Sequence, residues 1–146
     1  MRSEQTTTTE DSMTSRIVFI GAAGEMCRVA IERFAEAGVE WELELCDIRP
    51  ENLEPLVRSL PAGRAIARRL DLFDRDGLRE VVDGAALVVL GAGPYIRTSG
   101  PVVEACLEAK VPYLDFDVHD LAGLMEINRY LFATGADERA LIAASA

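Results

Sequence analysis

The sequence contains no uninterrupted run of 18 apolar residues, which predicts that the chain has no membrane span. Its first fifteen residues also lack the apolar segment of a secretory signal peptide, so residues 1–15 are predicted to form a disordered polar leader. Basic residues are few, since 15 Lys and Arg stand against 25 Asp and Glu and give a net charge of −10. Such a chain repels nucleic acid and anionic lipid, and neither is expected as a partner.

Cysteine and histidine are equally scarce. Three widely spaced cysteines are present and none belongs to a C-x-x-C pair: Cys27, Cys46 and Cys106. This usage favours reduced thiols in the core of a cytoplasmic protein. The lone histidine, His119, lies near Asp117 and Asp120 but has no second His or Cys close to it in the sequence, so no metal site is predicted.

The sequence does contain a regular alternation of short apolar runs and stretches of helical period. Strands are predicted at 17–20, 41–47, near 64–71, at 86–90 and at 111–115, with helices between them. This alternation predicts an α/β fold: a Rossmann-like, doubly wound parallel sheet of about five strands in the order 3-2-1-4-5, with helices on both faces. In the first helix, Met26, Val29, Ala30 and Phe34 are predicted to line the buried face. A helix over 99–109 is predicted to carry Pro101 in its first turn, with Ser99 as its cap.

A glycine-containing turn follows the first strand directly. In "IVFIGAAGEMC", two glycines stand between strand and helix, which is the context of a dinucleotide-binding fingerprint. Glycine lets the backbone approach a pyrophosphate, and the helix N-terminus offers unpaired N–H groups and partial positive charge. The pattern matches two of the three positions of G-x-x-G-x-x-G, with Cys27 at the third; a plain strand–helix turn is the alternative. The predicted cofactor contacts in this turn are Gly21, Ala22, Ala23, Gly24, Glu25 and Met26, with Glu25 placing a negative charge near the phosphate.

The ends of the second and third strands supply further candidates. Asp47 closes the second strand, where a carboxylate could accept hydrogen bonds from both ribose hydroxyls; the alternative is a solvated Asp that caps the following turn. Arg49 could pair with a 2′-phosphate or stack on adenine. Asp71 and Leu72, at the end of the third strand, are predicted to lie beside the adenine.

A second glycine loop follows the fourth strand. It has the sequence "LGAGPY" and contributes Gly91, Ala92, Gly93 and Pro94 as candidate cofactor contacts. In a doubly wound sheet the first and fourth strands flank the topological switch point, and ligands bind at their carboxyl ends. Both glycine loops are therefore expected to face one crevice. Pro94 is a candidate cis proline.

Taken together, these motifs resemble a known family. Residues 16–117 look like the amino-terminal nucleotide-binding domain of the saccharopine dehydrogenase-like oxidoreductases. The resemblance rests on "GAAGEMC", "CDIRPENLE", "LGAGPY" and "ACLEAKVPYLDFD". The sequence departs from the family pattern at Cys27, at Glu25, and at "FDVHD", where the family often has a short glycine-containing turn and a glutamate.

The resemblance implies a nicotinamide cofactor, NADP or NAD, and hydride transfer at a C–N bond of an amino or imino acid-type substrate. NADP is slightly favoured, on the assumption that Asp47 turns aside and Arg49 pairs with the phosphate. The resemblance divides the chain into the leader, a nucleotide-binding domain over 16–118, and a helical tail over 119–146 that would lead into a missing substrate domain. A homodimer, or a partner subunit carrying that domain, is therefore expected.

The catalytic residues are unknown at this stage. Tyr95, Arg97 and His119 are the nearest candidates, and each is also explained by a purely structural or surface position. Two other functions remain open: a non-catalytic dinucleotide-binding or sensing module, and an S-adenosylmethionine-dependent methyltransferase. The latter usually carries an acid within its first strand, and residues 17–20 have none.

Overall fold

The computed structural model describes residues 15–38, 40–116 and 141–143. The strands in this part of the chain are β1 (Arg16–Ile20), β2 (Glu42–Asp47), β3 (Ala65–Arg69), β4 (Leu87–Leu90), β5 (Tyr113–Asp115) and β6 (Leu141–Ala143). The helices are α1 (Glu25–Glu36), a 3-10 helix (Pro50–Leu53), α2 (Glu54–Ser59), α3 (Arg75–Val82) and α4 (Tyr95–Ala109). None of these helices combines the length and the apolar character that crossing a bilayer requires.

The strands form one parallel sheet in the order β3-β2-β1-β4-β5-β6. This confirms the predicted Rossmann-like order for the first five strands. The central strand β1 is covered on both faces, since Ile17, Val18 and Phe19 are fully buried. Burial on both faces is what a short, β-branched run in a parallel sheet requires.

The helices divide into two layers. On one face, α1, the 3-10 helix and α2 pack on alternate side chains of β1 and β2, and Phe19 meets Phe34 edge-on at 6.4 Å between ring centroids. On the other face, α3 and α4 pack on the opposite side chains of β1 and β4. Because all the strands run the same way, the loops that follow β1, β2, β3 and β4 gather at one edge, the carboxyl edge of the sheet.

The buried face of α1 differs from the prediction. Cys27 and Ile31 are fully buried, whereas Met26 and Val29 are each half exposed. Adjacent positions on a helix lie about 100° apart around its axis. A buried face centred one residue away from the predicted one therefore leaves the predicted core residues Met26 and Val29 facing solvent. Met26 is thereby left at the open N-terminal end of the helix.

The start of α4 was also predicted wrongly. The helix begins at Tyr95, so Pro101 lies inside it and Ser99 is a buried helical residue, not a cap. Pro94 holds the N-cap position in an extended conformation, and its fixed backbone angle suits the residue that leads into a helix.

In the predicted helical tail, residues 141–143 form a strand. They pair in parallel with β5, with Leu141 opposite Tyr113, so the helix prediction is wrong for these residues. A short apolar run has no periodicity that distinguishes a strand from a helix. Residues 141–143 form a strand because they pair with the free edge of β5. His119, Asp117 and Asp120, like the rest of the predicted tail, lie outside the described residues.

Candidate functional site

The two glycine loops touch each other at the carboxyl edge. Gly21 has φ +76°, and a Cβ on it would lie 2.6 Å from the backbone nitrogen of Ala92. A Cβ on Gly24 would lie 3.2 Å from the carbonyl oxygen of Gly21 and 3.5 Å from that of Gly91. The loops approach this closely because Gly21 has no side chain, and a Cβ on Gly24 would also be tight against the Gly21 carbonyl oxygen. They form one crevice between β1 and β4.

The N-terminus of α1 opens toward this crevice without a side-chain cap. Its N-cap residue is Gly24, and no side chain in the described part of the chain hydrogen-bonds to the first turn. The N-terminal end of a 12-residue helix carries partial positive charge and N–H groups that lack a helical partner. Glu25 is exposed in that first turn and partly offsets the charge. The arrangement suits an anion that brings its own acceptor oxygens.

Cys27 occupies the third position of the fingerprint and packs against the second loop. Its side chain is fully buried, and a Cβ on Gly91 would lie 2.2 Å from its sulfur. Burial, and then the charge of Asp47, raise the pKa of the Cys27 thiol to about 12. The thiol is thus a neutral packing group that lets helix and loop approach each other.

Asp47 links the first glycine loop to the loop after β2. One carboxylate oxygen accepts a hydrogen bond from the Ala23 N–H at 3.3 Å, and the other accepts from the Arg49 N–H at 3.1 Å. The assumption that Asp47 turns aside is therefore wrong. The carboxylate remains beside the glycine loop, and any preference for a 2′-phosphate must come from nearby cations.

The end of β3 differs in detail from the prediction. Leu72 packs in the core and is only 9% exposed. The Asp71 carboxylate accepts the Phe73 N–H at 3.0 Å and holds a tight turn that leaves Phe73 57% exposed. Ile48, which follows β2, is 55% exposed. Ile48 and Phe73 were not among the residues predicted from the sequence; the available signal was a large apolar residue in a loop that follows a strand.

The second loop is fixed by the helix that follows it. The Gly93–Pro94 peptide bond is cis, as predicted. The buried hydroxyl of Thr98 lies 2.6 Å from the carbonyl oxygen of Ala92 and donates to it, with the Pro94 carbonyl oxygen a second acceptor at 3.2 Å. Apart from its two chain neighbours, no described residue has an atom within 4 Å of the position that a Cβ on Gly93 would take.

A buried polar pair supports β5. The Tyr113 hydroxyl donates to the Asp115 carboxylate at 2.7 Å, and burial together with this bond raises the pKa of Tyr113. Asp115 pairs in register with Leu90, directly before the second loop. Tyr113 is only 1% exposed. The Tyr-x-Asp motif of the resemblance is thus a buried structural pair.

The remaining catalytic candidates are dispersed. Tyr95 is partly buried against the core, and Arg97 is exposed in the first turn of α4. His119 lies outside the described residues. Within those residues, no group of three or more His, Cys, Asp or Glu side chains is placed to hold a metal ion.

Comparisons with known proteins agree with this geometry. The model of a family described as the saccharopine dehydrogenase NADP binding domain matches residues 17–142. No curated protein matches the chain significantly.

Solved structures share the fold. A Rossmann-fold NAD(P)-binding family protein from Shigella flexneri aligns with TM-score 0.64 and 15% identity over 89% of this chain and 66% of its own. Saccharopine dehydrogenase (L-Glu forming) from Saccharomyces cerevisiae aligns with TM-score 0.62 and 19% identity over 80% of this chain and 24% of its own. Vestitone reductase from alfalfa aligns with TM-score 0.63 and 13% identity over 89% of this chain and 56% of its own. The chain therefore spans between about a quarter and two thirds of these proteins.

Proposed function

The chain belongs to the saccharopine dehydrogenase NADP-binding domain family, and from that premise we propose that the crevice between the two glycine loops holds the pyrophosphate of the dinucleotide. The domain itself is an NAD(P)-binding Rossmann domain. The observation that carries the proposal is the contact of the two loops beside an α1 N-terminus that no side chain caps. The helix end would supply N–H donors, and the missing side chains would let the phosphates approach the backbone.

We assign the adenosine half to the loops after β2 and β3. Asp47 would accept hydrogen bonds from the ribose, and Ile48 and Phe73 would provide apolar contacts to the adenine ring. Both apolar side chains are more than half exposed without a ligand, so covering them would contribute free energy on binding. Asp71 would act indirectly, by holding the turn that presents Phe73.

For the reaction, we propose hydride transfer at a C–N bond of an amino or imino acid-type substrate. When bound, the nicotinamide supplies or accepts the hydride. This chain's residues would bind and orient the cofactor, with Gly93 and the first turn of α4 bordering its reactive end. Ile96 in that turn is 89% exposed. A further domain, or a partner subunit carrying one, would cover it and position the substrate.

A titration of the purified chain with NADPH, NADH and S-adenosylmethionine tests the binding proposal. Both dinucleotides should bind and S-adenosylmethionine should not. Gly24→Val should abolish binding, since even a Cβ there meets two carbonyl oxygens at 3.2 and 3.5 Å and a branched side chain must intrude into the crevice. Gly100→Val is the matched control, because position 100 is exposed on α4 with no atom within 4 Å of the added Cβ.

A second variant covers the case in which Gly24→Val does not fold. Met26→Asp adds a negative charge to the first turn of α1, where it favours the helix and opposes a bound phosphate. Its melting temperature should not fall, while affinity for both dinucleotides should. If folded Gly24→Val or Met26→Asp binds NADH and NADPH as the parent does, the site assignment is wrong.

A further inference from the structure

The arginines of the described residues are unevenly paired. Seven of the eleven form ion pairs with carboxylates: Arg16, Arg28, Arg33, Arg58, Arg68, Arg75 and Arg79. Four form none with any described residue: Arg49, Arg64, Arg69 and Arg97. Three of these four lie at the carboxyl edge of the sheet, whereas Arg64 lies before β3 at the opposite edge. In a chain of net charge −10, cations left unpaired at one edge indicate an anionic ligand there.

Arg69 is placed by strand register beside the ribose-side carboxylate. It is the last residue of β3 and pairs in register with Asp47, the last residue of β2. Residues opposite each other in a parallel sheet share a face, and their strands lie about 4.8 Å apart. Arg69 is exposed and so is Arg49, two residues beyond Asp47. Both residues therefore lie near Asp47 along the backbone, Arg69 as its partner in the strand register and Arg49 two positions beyond it.

The hydrogen-bonding groups at this edge suit a phosphate. Both carboxylate oxygens of Asp47 already accept backbone N–H groups, from Ala23 and Arg49. Neither Arg49 nor Arg69 forms an ion pair with a described carboxylate, although Asp47 and Asp71 both lie at this edge, so both guanidinium groups keep donors for a ligand. A phosphate monoester carries about −1.5 to −2 charges at pH 7 and accepts planar, bidentate hydrogen bonds from arginine.

We propose that Arg69, together with Arg49, binds the 2′-phosphate of NADP and sets the preference for NADP over NAD. The inference rests on the proposed dinucleotide site and adds a specificity residue on β3 that the glycine fingerprint does not include. Arg49 approaches from the loop after β2, and Arg69 approaches from the neighbouring strand. The 2′-phosphate would lie between them, outside Asp47.

Binding measurements with matched ligand pairs test this inference without catalysis. The ligands are NADPH against NADH, and 2′,5′-ADP against 5′-AMP, which isolate the adenosine half. Arg69→Gln should weaken the binding of NADPH and of 2′,5′-ADP about tenfold or more, equivalent to about 1.4 kcal/mol. It should leave the affinities for NADH and 5′-AMP within about twofold of those of the parent. Arg49→Gln should act in the same direction, and the double variant should abolish the preference for the 2′-phosphate.

Arg64→Gln is the control, since it removes an arginine that forms no described ion pair from the opposite edge of the sheet, away from the site. The Arg64→Gln variant should bind all four ligands with the affinity of the parent. The inference is overturned if Arg69→Gln leaves NADPH affinity unchanged, if it weakens NADPH and NADH equally, or if the parent binds NADH and not NADPH. Failure of the parent to bind either dinucleotide would instead overturn the proposed site, so the two failures are distinguishable.

Discussion

At the scale of single residues, the contact between Cys27 and Gly91 determines how closely α1 and the second glycine loop can approach. Cys27 is fully buried, and its sulfur takes the space that a side chain at position 91 would need. The family fingerprint usually has glycine or another small residue where this chain has Cys27. A cysteine there is compatible with close packing only because its partner is a glycine.

This contact predicts a compensating pair of substitutions. Gly91→Ala should lower the free energy of unfolding by about 1–3 kcal/mol, because its Cβ would lie 2.2 Å from the Cys27 sulfur. In the Cys27→Ala background the added Cβ meets only ordinary contacts, at 3.4 Å and beyond. The free energy of unfolding of the double variant should therefore fall by less than the sum of the two single decreases, with a difference of about 1 kcal/mol.

Urea unfolding of the four proteins measures this coupling. Cys106→Ala provides the control background, since Cys106 is equally buried but does not contact Gly91. In the Cys106→Ala background, the decreases in unfolding free energy should be additive. Additive losses in the Cys27→Ala background as well would contradict the packing role assigned to this thiol.

Glu25 is expected to have opposite effects on the stability of the protein and on cofactor binding. Its negative charge lies in the first turn of α1, where it interacts favourably with the helix dipole and would repel a bound phosphate. Glu25→Gln should therefore lower the free energy of unfolding by about 0.3–1 kcal/mol and tighten both NADH and NADPH by about threefold. Glu42→Gln, at the exposed start of β2 on the opposite edge, should not change binding. A Glu25→Gln protein that binds either dinucleotide more weakly would argue against a phosphate at this helix end.

At the scale of elements, α4 positions the second glycine loop. Its first two turns contain Thr98, whose buried hydroxyl bonds back to the carbonyl oxygen of Ala92, so helix and loop form one local unit. This arrangement requires the helix to begin at Tyr95, four residues earlier than the sequence predicted. The position of Pro101 was misleading, because proline is common in first turns and here it lies inside the helix.

Thr98→Val tests that unit. The substitution keeps the side-chain shape and removes the hydroxyl that donates to the Ala92 carbonyl oxygen. It should lower the free energy of unfolding by about 1–3 kcal/mol and weaken NADPH binding, because the loop is no longer held. Thr98→Ser restores the donor and should recover most of the affinity. Measuring NADPH dissociation constants for the three proteins separates loop positioning from stability. Equal affinity of the valine and serine variants would show that the hydroxyl does not position the loop.

Much of this element order was predictable from the sequence, and the misses have physical reasons. Strands β1 and β4 follow from short apolar runs and β2 follows from the alternation in "WELELCD", and the glycine turns fix where β1 and β4 end. Residues 141–143 could not be assigned, because a three-residue strand depends on the free edge of β5. The core position of Leu72 and the exposure of Phe73 also depend on how the turn at Asp71 folds.

At the scale of the whole molecule, the candidate site residues are concentrated at one edge of the sheet. Ile48, Phe73 and Ile96 are large apolar side chains that follow β2, β3 and β4, and all three are more than half exposed. Most of the unpaired arginines lie at the same edge. An edge that combines exposed apolar groups with unpaired cations suits a ligand that is aromatic at its ends and anionic between them.

The same view predicts that this chain alone does not turn over a substrate. Hydride transfer needs the acceptor carbon held near the nicotinamide and shielded from water. No described side chain has a clear claim to that task, and the chain spans only 24% of the yeast saccharopine dehydrogenase that it resembles in fold. Assays of NAD(P)H oxidation with imino acids, combined with light scattering, should show no turnover by monomer and activity only in an assembly. Steady turnover by monomeric protein would refute this.

The most direct measurement of the central claim is a titration of isotopically labelled protein with NADPH, followed through its backbone amide resonances. The account predicts that the amides of Gly21, Gly24 and Gly93 shift in proportion to occupancy, because they line the crevice at the carboxyl edge. Gly38 and Gly63, at the opposite edge, should not move. Saturable binding that shifts Gly38 or Gly63 and leaves the three crevice glycines unchanged would contradict the assignment of the dinucleotide to this crevice.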